Sequence, residues 1–270
     1  LQVYVAELHV HTVLSPCAAV EMIPPLIVRT ALERGINLLA ITDHNASANV
    51  EAVMRAAQGS ALSVLPGMEV QTREEVHMLC LFDTLEQLAD WQRQVDAHLP
   101  DLENNAELFG EQFVVDEVGE FVRRETRLLL ASTRMTLEEA AVRVNALGGL
   151  AIPAHIDRKA FSLITNLGFV PEGIPFAALE ITRHITPTQA RQRFPQIGDI
   201  PLIQSGDAHR LDEITGPMVL TMEAPTTAEL RLALANRAGR SAVLLRRVDR
   251  SEAGDDISTL APPVSEPESL

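Results

Sequence analysis

The chain has 270 residues, 46% of them hydrophobic, enough to bury a full core and typical in length of one α/β barrel with additions. A formal charge of -15 and a pI of about 4.9 give a field that repels a polyphosphate backbone, so composition favours a small phosphorylated substrate and argues against long nucleic acid. No stretch approaches the roughly 18 to 20 apolar residues that span a bilayer, and the N-terminus as given has no basic region leading into an apolar core, so a cytoplasmic protein without membrane contact is expected.

In chain order, Val3–Leu8 reads as a strand running straight into His9-Val10-His11. Pro24–Arg34 has apolar residues at helical spacing, a prolyl start and Gly35 as a stop. Leu38–Thr42 is the second strand and ends at Asp43-His44; a helix follows over Ala46–Gln58. A third strand begins at Ser63–Leu65 and ends near Glu69, and His77 opens an apolar run to Phe82. This alternation predicts parallel strands joined by crossover helices.

From Thr84 the pattern changes. A helix carrying Leu85, Leu88, Trp91 and Val95 gives way to an irregular stretch at Pro100-Asp101 and a charged segment, Asp116–Arg127. Residues 84–135 read as an inserted, cap-like segment over the barrel mouth, between barrel parts 1–83 and 136–248. Thr136 and Glu139 form a capping box ahead of a helix to Leu147. Strands follow at Leu150–Ala154, Phe176–Ile181, Ile200–Gln204, Pro217–Thr221 and Ser241–Leu245, with helices near Pro187–Phe194 and Thr227–Arg237. The acidic, Ser- and Pro-rich tail over 249–270 has the composition of a disordered segment.

Polar residues recur where strands run out, and in parallel barrels the strand ends converge on one mouth. His9 and His11, two apart at a strand end, point to one side and can hold a metal ion. Alone, such a pair is as readily two ordinary surface or core histidines. Its neighbours decide: Asp43-His44, Glu69, His77, His155 and Asp207-Ala208-His209 also fall at strand ends, which places six of the eight histidines in the set. Histidines placed for packing would not track strand ends around a barrel.

The runs His9-Val-His-Thr-Val-Leu-Ser-Pro-Cys17, Ile41-Thr-Asp-His-Asn45, Pro66-Gly-Met-Glu69 and Ser205-Gly-Asp-Ala-His209 resemble, in sequence and order, the motifs of the PHP (polymerase and histidinol phosphatase) phosphoesterase family. The resemblance implies a distorted (β/α)7 barrel, TIM-like, with an inserted subdomain and two or three divalent ions of zinc, manganese or iron. It implies one ion at His9, His11, Glu69 and Asp207, a second at His44 and His209, and a third at His77 and His155, with Glu69 bridging. Glu69, Asp207 and His209 are then the expected catalytic residues. Where many members have histidine or aspartate, this chain offers Cys17, whose thiolate suits zinc and other borderline-soft ions; the alternative is a small apolar loop residue. Cys80, inside an apolar strand, reads as core. Asp43 is expected to orient its liganding neighbour rather than to bind metal.

Two such ions can bind a water between them, lower its pKa and aim hydroxide at phosphorus. No G-x-S-x-G elbow or P-loop points to another nucleophile. Arg158, Arg210 and Arg183 are candidates for binding phosphate, and His184, after the strand ending Glu180-Ile-Thr, for touching substrate or donating a proton. His98 reads as surface. The expected function is metal-dependent hydrolysis of a small phosphorylated metabolite or nucleotide. Two alternatives stay open: an amidohydrolase-type metal hydrolase, which commonly bridges its metals with a carbamylated lysine whereas here the only lysine is Lys159, and a non-catalytic metal-binding scaffold. The sequence leaves the oligomeric state open.

Overall fold

A computed structural model of the protein describes residues 1–245. Seven strands form one mixed sheet in the order β11-β10-β1-β2-β3-β4-β7, built from β1 (Gln2–Val10), β2 (Leu38–Ile41), β3 (Ser63–Gln71), β4 (His77–Leu81), β7 (Leu150–Pro153), β10 (Met218–Met222) and β11 (Ser241–Leu244). The sheet curls into a half-barrel. A separate parallel pair, β8 (Leu179–Ile181) and β9 (Leu202–Gln204), lies beyond it. It is joined by Ala177 N donating to Ala151 O at 2.9 Å and by a bridge between Ala208 and Val10. The expected tail over 249–270 lies outside the described residues.

The expectation of parallel strands joined by crossover helices holds for β1–β3 and is corrected at β4. β1–β2 and β2–β3 are parallel, each joined through a helix, α1 (Pro24–Glu33) and α2 (Val50–Ala56). β3–β4, β4–β7, β1–β10 and β10–β11 are antiparallel. The cause at β3–β4 is length: residues 72–76 close a tight turn, with Thr72 N on Val76 O at 2.9 Å and Glu75 at φ 58°. A parallel partner would need a crossover of a dozen or more residues.

The sheet's two faces carry two cores. Leu39, Ile41, Met68, Val70, Met78, Cys80 and Ala151 pack outward against helices. Leu38, Ala40, Leu65, Leu79, Leu81, Leu150 and Ile152 form the inner core with Tyr4, Ala6 and Leu8. Strand alternation carries that inner face from Leu65 to Glu69 and from Leu79 back to His77. In β1 the same parity would turn His9 and His11 outward. A register irregularity between Glu7 and Val10 intervenes, so Val10 joins the outer core and the two histidines face inward with Glu69.

Residues 84–135 form α3 (Leu85–His98), α4 (Ala106–Phe109) and the hairpin β5–β6 (Phe113–Val115, Phe121–Arg124). α3 starts on the Thr84–Gln87 capping box and buries Leu88, Trp91 and Val95 in the outer core. The rest braces the loop after β1: Phe113 N donates to Val13 O at 3.0 Å, and Asn49 bonds both Phe113 O and Val115 N. α5 (Leu137–Ala146) begins on the Thr136–Glu139 capping box. The helix expected over Ala46–Gln58 starts only at Val50, because Asn45 takes φ 48° and its amide is drawn to Leu129 O and Ala131 O. α6 (Leu163–Leu167), α7 (Pro187–Arg193) and α8 (Thr227–Leu234) complete the helices.

Candidate metal centre

Seven strand ends deliver one cluster. β1 supplies His9 and His11, the residues after β2 His44, β3 Glu69, β4 His77, the turn after β7 His155, and the loop after β9 Asp207 and His209. Glu69 is the hub. Its carboxylate oxygens lie 3.3 Å from His9 Nε2, 3.5 Å from His11 Nε2, 2.9 Å from His44 Nδ1, 3.0 Å from His77 Nδ1 and 3.4 Å from His155 Nε2. Asp207 Oδ1 lies 3.1 Å from His9 Nε2 and 3.2 Å from His11 Nε2. His44 is tied to Glu69 by a backbone bridge as well.

The seventh strand end is β8, which brings Glu180, a residue that sequence reasoning missed. Its carboxylate lies 3.0 Å from His9 Nδ1 and accepts the His155 backbone N–H at 3.0 Å. Donation of the His9 Nδ1–H to Glu180 leaves the Nε2 lone pair facing Glu69 and Asp207. The signal was present in the sequence as a single acid within an otherwise apolar strand, buried to 1% exposure.

These donors fit divalent ions. His9 Nε2 and His11 Nε2 face each other at 3.1 Å, close enough to share a proton or a cation. Both ring nitrogens of His155 are buried without a hydrogen-bond partner, and each such orphan costs about 1–3 kcal/mol. Donor atoms converge in three groups, His9–His11–Glu69, His11–His44–His209 and His44–Glu69–His77. Imidazole with carboxylate is the donor chemistry of zinc, iron and manganese sites.

Electrostatics agree. Burial acts to raise the Glu69 carboxyl, but His77, His9 and His44 outweigh it and hold it well below the usual range. Burial likewise opposes ionisation of Asp207, and His9 and His11 override it. Cys17, exposed as a whole residue, lines the cavity beside the cluster together with His209. Burial pushes its thiol up, yet hydrogen bonding to His209 and His44 pulls it down to about 6, which makes it a thiolate near neutrality.

Among the described residues Asp43 makes no hydrogen bond to an imidazole. It accepts from Thr12 N, Thr12 Oγ1 and Ser15 Oγ at 2.7–2.8 Å, and Ser15 Oγ lies 3.0 Å from His11 Nδ1. The aspartate therefore orients His11 through Ser15 rather than its sequence neighbour His44 directly. His155 and Asp207 have φ of 29° and 48°, conformations that cost non-glycine residues about 1–3 kcal/mol and persist only where the surroundings enforce them. Glu7 does part of that enforcing: its buried carboxylate accepts the N–H groups of Gly206, Thr215 and Gly216 at 2.8–3.2 Å and so fixes the loop that carries Asp207 and His209.

A cavity of about 1000 Å³ opens beside the cluster, from Cys17, His155 and His209 past Arg158 to Arg183, His184 and Arg210. Of the arginines, only Arg158 touches the cluster, with its guanidinium 2.5 Å from Asp207 Oδ2; Arg183, His184 and Arg210 stand on the walls. Lining residues come from 155–159, 180–193 and 205–213 together with Cys17. No residue of 84–135 is among them; that segment packs on the outer core and the loop after β1. His98 bonds Gln94 O on its own helix, and Cys80 is core. Among the described residues, no helix is long and apolar enough to cross a membrane.

The PHP domain family model matches residues 7–142, so Asp207 and His209 lie beyond the matched segment and join the cluster through the fold. No curated protein sequence matches the chain. Among solved structures, the lesion-specific endonuclease Q of Pyrococcus furiosus is similar with a TM-score of 0.70 at 20% identity, over 89% of this chain and 58% of that one. An endonuclease Q complex with a 27-mer duplex carrying an abasic lesion at the active site matches with a TM-score of 0.66 at 20% identity over the same shares, 89% and 58%. A protein of Bifidobacterium adolescentis assigned as a metal-dependent phosphoesterase matches with a TM-score of 0.54 at 19% identity over 76% of this chain and 87% of that one. This chain thus spans 58% of the length of the endonuclease Q chains.

The expectation that acidic charge argues against long nucleic acid is overturned by that duplex complex, in which a protein of this fold holds DNA at its active site. The physical reason lies in range. Exposed charges more than a Debye length away, about 8–10 Å, are largely screened, so the cations around a site count for more than the sum over the surface.

Proposed function

The chain belongs to the PHP domain family, and from that premise we propose that it is a metal-dependent phosphoesterase whose reacting phosphoryl group sits between the histidine–carboxylate cluster and Arg158. The observation that carries this reading is the convergence of six histidines, Glu69 and Asp207, with buried unpartnered donor atoms, on the floor of an arginine-lined cavity. In this reading one ion is held by His9, His11, Glu69 and Asp207, a second by His44, His209 and Cys17, and a third by His77 and His155 with Glu69 shared. Zinc, manganese and iron all suit the donors.

Bound ions would supply Lewis acidity, polarising the phosphoryl oxygens and making water acidic enough to ionise near neutral pH. The chain's own residues do the rest. Arg158 and Arg210, with Arg183 and His184 further along the wall, present planar or ring N–H donors to phosphate oxygens. Glu69 and Asp207 fix the imidazoles around one point, and the His209 ring, at the cavity edge, is oriented by its Nδ1 on Asp207 O at 3.0 Å. A lysine-bridged amidohydrolase centre has less support, since the only lysine, Lys159, lies on the cavity wall and Glu69 stands at the centre of the imidazoles, where such a bridge would be needed. In this reading the half-barrel sheet and the β8–β9 pair together make up a distorted barrel, interrupted by 84–135 as an inserted unit.

The test is to strip the protein of metal, reload it with manganese, zinc or iron, and screen phosphomonoesters, phosphodiesters and oligonucleotides. Metal-dependent release of phosphate or strand cleavage is expected. Stoichiometric metal binding with no phosphoester turned over would sink the enzyme reading and leave a metal-binding scaffold.

A further inference from the structure

We propose that the inserted segment controls the ion at His77 through Gln71, which takes no part in binding metal itself. The proposal rests on the metal-centre reading above and deepens it: Gln71 is a positioning residue that acts through the imidazole it holds.

Gln71 is the last residue of β3, two after Glu69 and so on the same face, and it stands directly opposite His77 in the β3–β4 ladder. Its Oε1 lies 3.2 Å from His77 Nε2, while His77 Nδ1 lies 3.0 Å from Glu69 Oε1. Glu69 Oε1 is also 3.4 Å from His155 Nε2, so His77 Nδ1 and His155 Nε2 flank one carboxylate oxygen. A half-turn of the His77 ring would keep its plane but point carbons at both Glu69 and Gln71. Phe161 does not discriminate between the two orientations: its ring stacks on His77 with centroids 4.8 Å apart and planes 15° apart, a contact indifferent to which edge points where. The Gln71 acceptor does discriminate. By taking the Nε2–H it leaves the Nδ1 lone pair directed at Glu69.

What aims Gln71 is the end of the insertion. Its Nε2 donates to Ser132 Oγ at 2.8 Å, and its backbone oxygen accepts the Thr133 N–H at 2.8 Å. Its own N–H donates to Asn45 Oδ1 at 3.0 Å, and the Asn45 amide is fixed in turn by Leu129 O and Ala131 O. Residues 129–133 therefore run along the end of β3 and decide where the Gln71 amide points. His9 and His11 are served differently, by acids of the barrel itself: Glu180 directly, and Asp43 through Ser15. A hydrogen bond to a neutral amide is weaker than one to a carboxylate and makes the imidazole a poorer donor. The ion at His77 is accordingly the most weakly held of the set and the one that depends on the insertion.

The experiment titrates manganese, and separately zinc, into the metal-free full chain against a competing chelator, with bound ions counted by elemental analysis, in wild type, Gln71→Met, Gln71→Glu and Ser132→Ala. Wild type should bind three ions, one more weakly than the others. Gln71→Met keeps the length and loses the acceptor, and should weaken that ion about tenfold or more while the two tighter ones stay within about twofold. Gln71→Glu keeps the acceptor and adds charge, and should tighten it. Ser132→Ala leaves Gln71 and every ligand in place and should weaken the same ion about threefold, which keeps the test decisive if Gln71→Met does not fold. A weakest ion unchanged within about twofold in the folded variant overturns the proposal, as does a loss shared equally by all three ions, a Gln71→Glu as weak as Gln71→Met, or a wild type that saturates at two. Because the readout is bound metal, absence of phosphoester turnover in every one of these proteins refutes the enzyme reading and leaves the role of Gln71 standing.

Discussion

Replacing Glu180 with alanine should loosen the metal centre although Glu180 is not itself a proposed ligand. The carboxylate holds His9 Nδ1 at 3.0 Å and the His155 backbone N–H at 3.0 Å, so its loss frees the His9 ring to rotate or change tautomer and orphans a buried donor beside the φ 29° turn of His155. A charge-assisted hydrogen bond is worth about 1.5–3 kcal/mol and an orphaned buried donor costs about 1–3 kcal/mol. Removing a partner that orients a metal ligand typically weakens metal affinity about 10- to 100-fold, which is about 1.4–2.7 kcal/mol. Chelator competition on metal-free protein should show that loss, with urea unfolding of the same metal-free sample lower by about 2–4 kcal/mol. Glu180→Gln keeps an acceptor without the charge and should fall between the two. Metal affinity within about twofold of wild type in Glu180→Ala would show that His9 needs no such support.

Four further outcomes follow from the geometry. His11→Ala or Asp207→Ala should abolish metal-dependent turnover and lower bound metal measured by elemental analysis. The alkylation rate of Cys17 in metal-free protein should rise as pH passes upward through about 6, rather than near the ordinary thiol value of about 8.5, and added metal should slow it; a midpoint above 8 would remove the thiolate from the site. Gly206→Ala drives a Cβ into the Glu213 carbonyl and should displace the loop carrying Asp207 and His209, costing about 1–3 kcal/mol in urea unfolding together with activity. Trp91→Ala empties a fully buried position of α3 and should cost about 3–5 kcal/mol while leaving metal content intact.

Much of the site is legible in the sequence because its ligands sit where apolar strands end, and local patterning locates strand ends. His9, His11, His44, Glu69, His77, His155, Asp207 and His209 are all found that way, and the structure gathers all of them. Strand direction was less legible: β4 and β7 have the apolar run of a parallel strand, and only the five-residue turn at 72–76 forces the antiparallel course. Residues 113–124 hid a hairpin because β6 is fully exposed and carries no buried alternation. Glu180 was passed over because one acid in a strand gives no spacing signal of its own. The net charge misled on nucleic acid because a sum over the chain discards position.

By itself the sequence determined the candidate donors of this protein: which side chains are available to a metal, at which strand ends, with a thiol at position 17 as a further candidate. Only the tertiary structure decided that His9 and His11 turn inward, since that depends on a register irregularity in β1 that reverses side-chain parity. Tertiary structure alone also decided that Asp43 serves His11 through Ser15, that Glu180 locks His9 and His155, and that five cations scattered from Arg158 to Arg210 share one cavity. The reason is common to all of these. Ligand identity is a property of single residues, whereas orientation and local charge arise between residues far apart in the chain, such as Ser15 with Asp43, 28 positions away, and Glu7 with Gly206, 199 away, and exist only once the chain has folded.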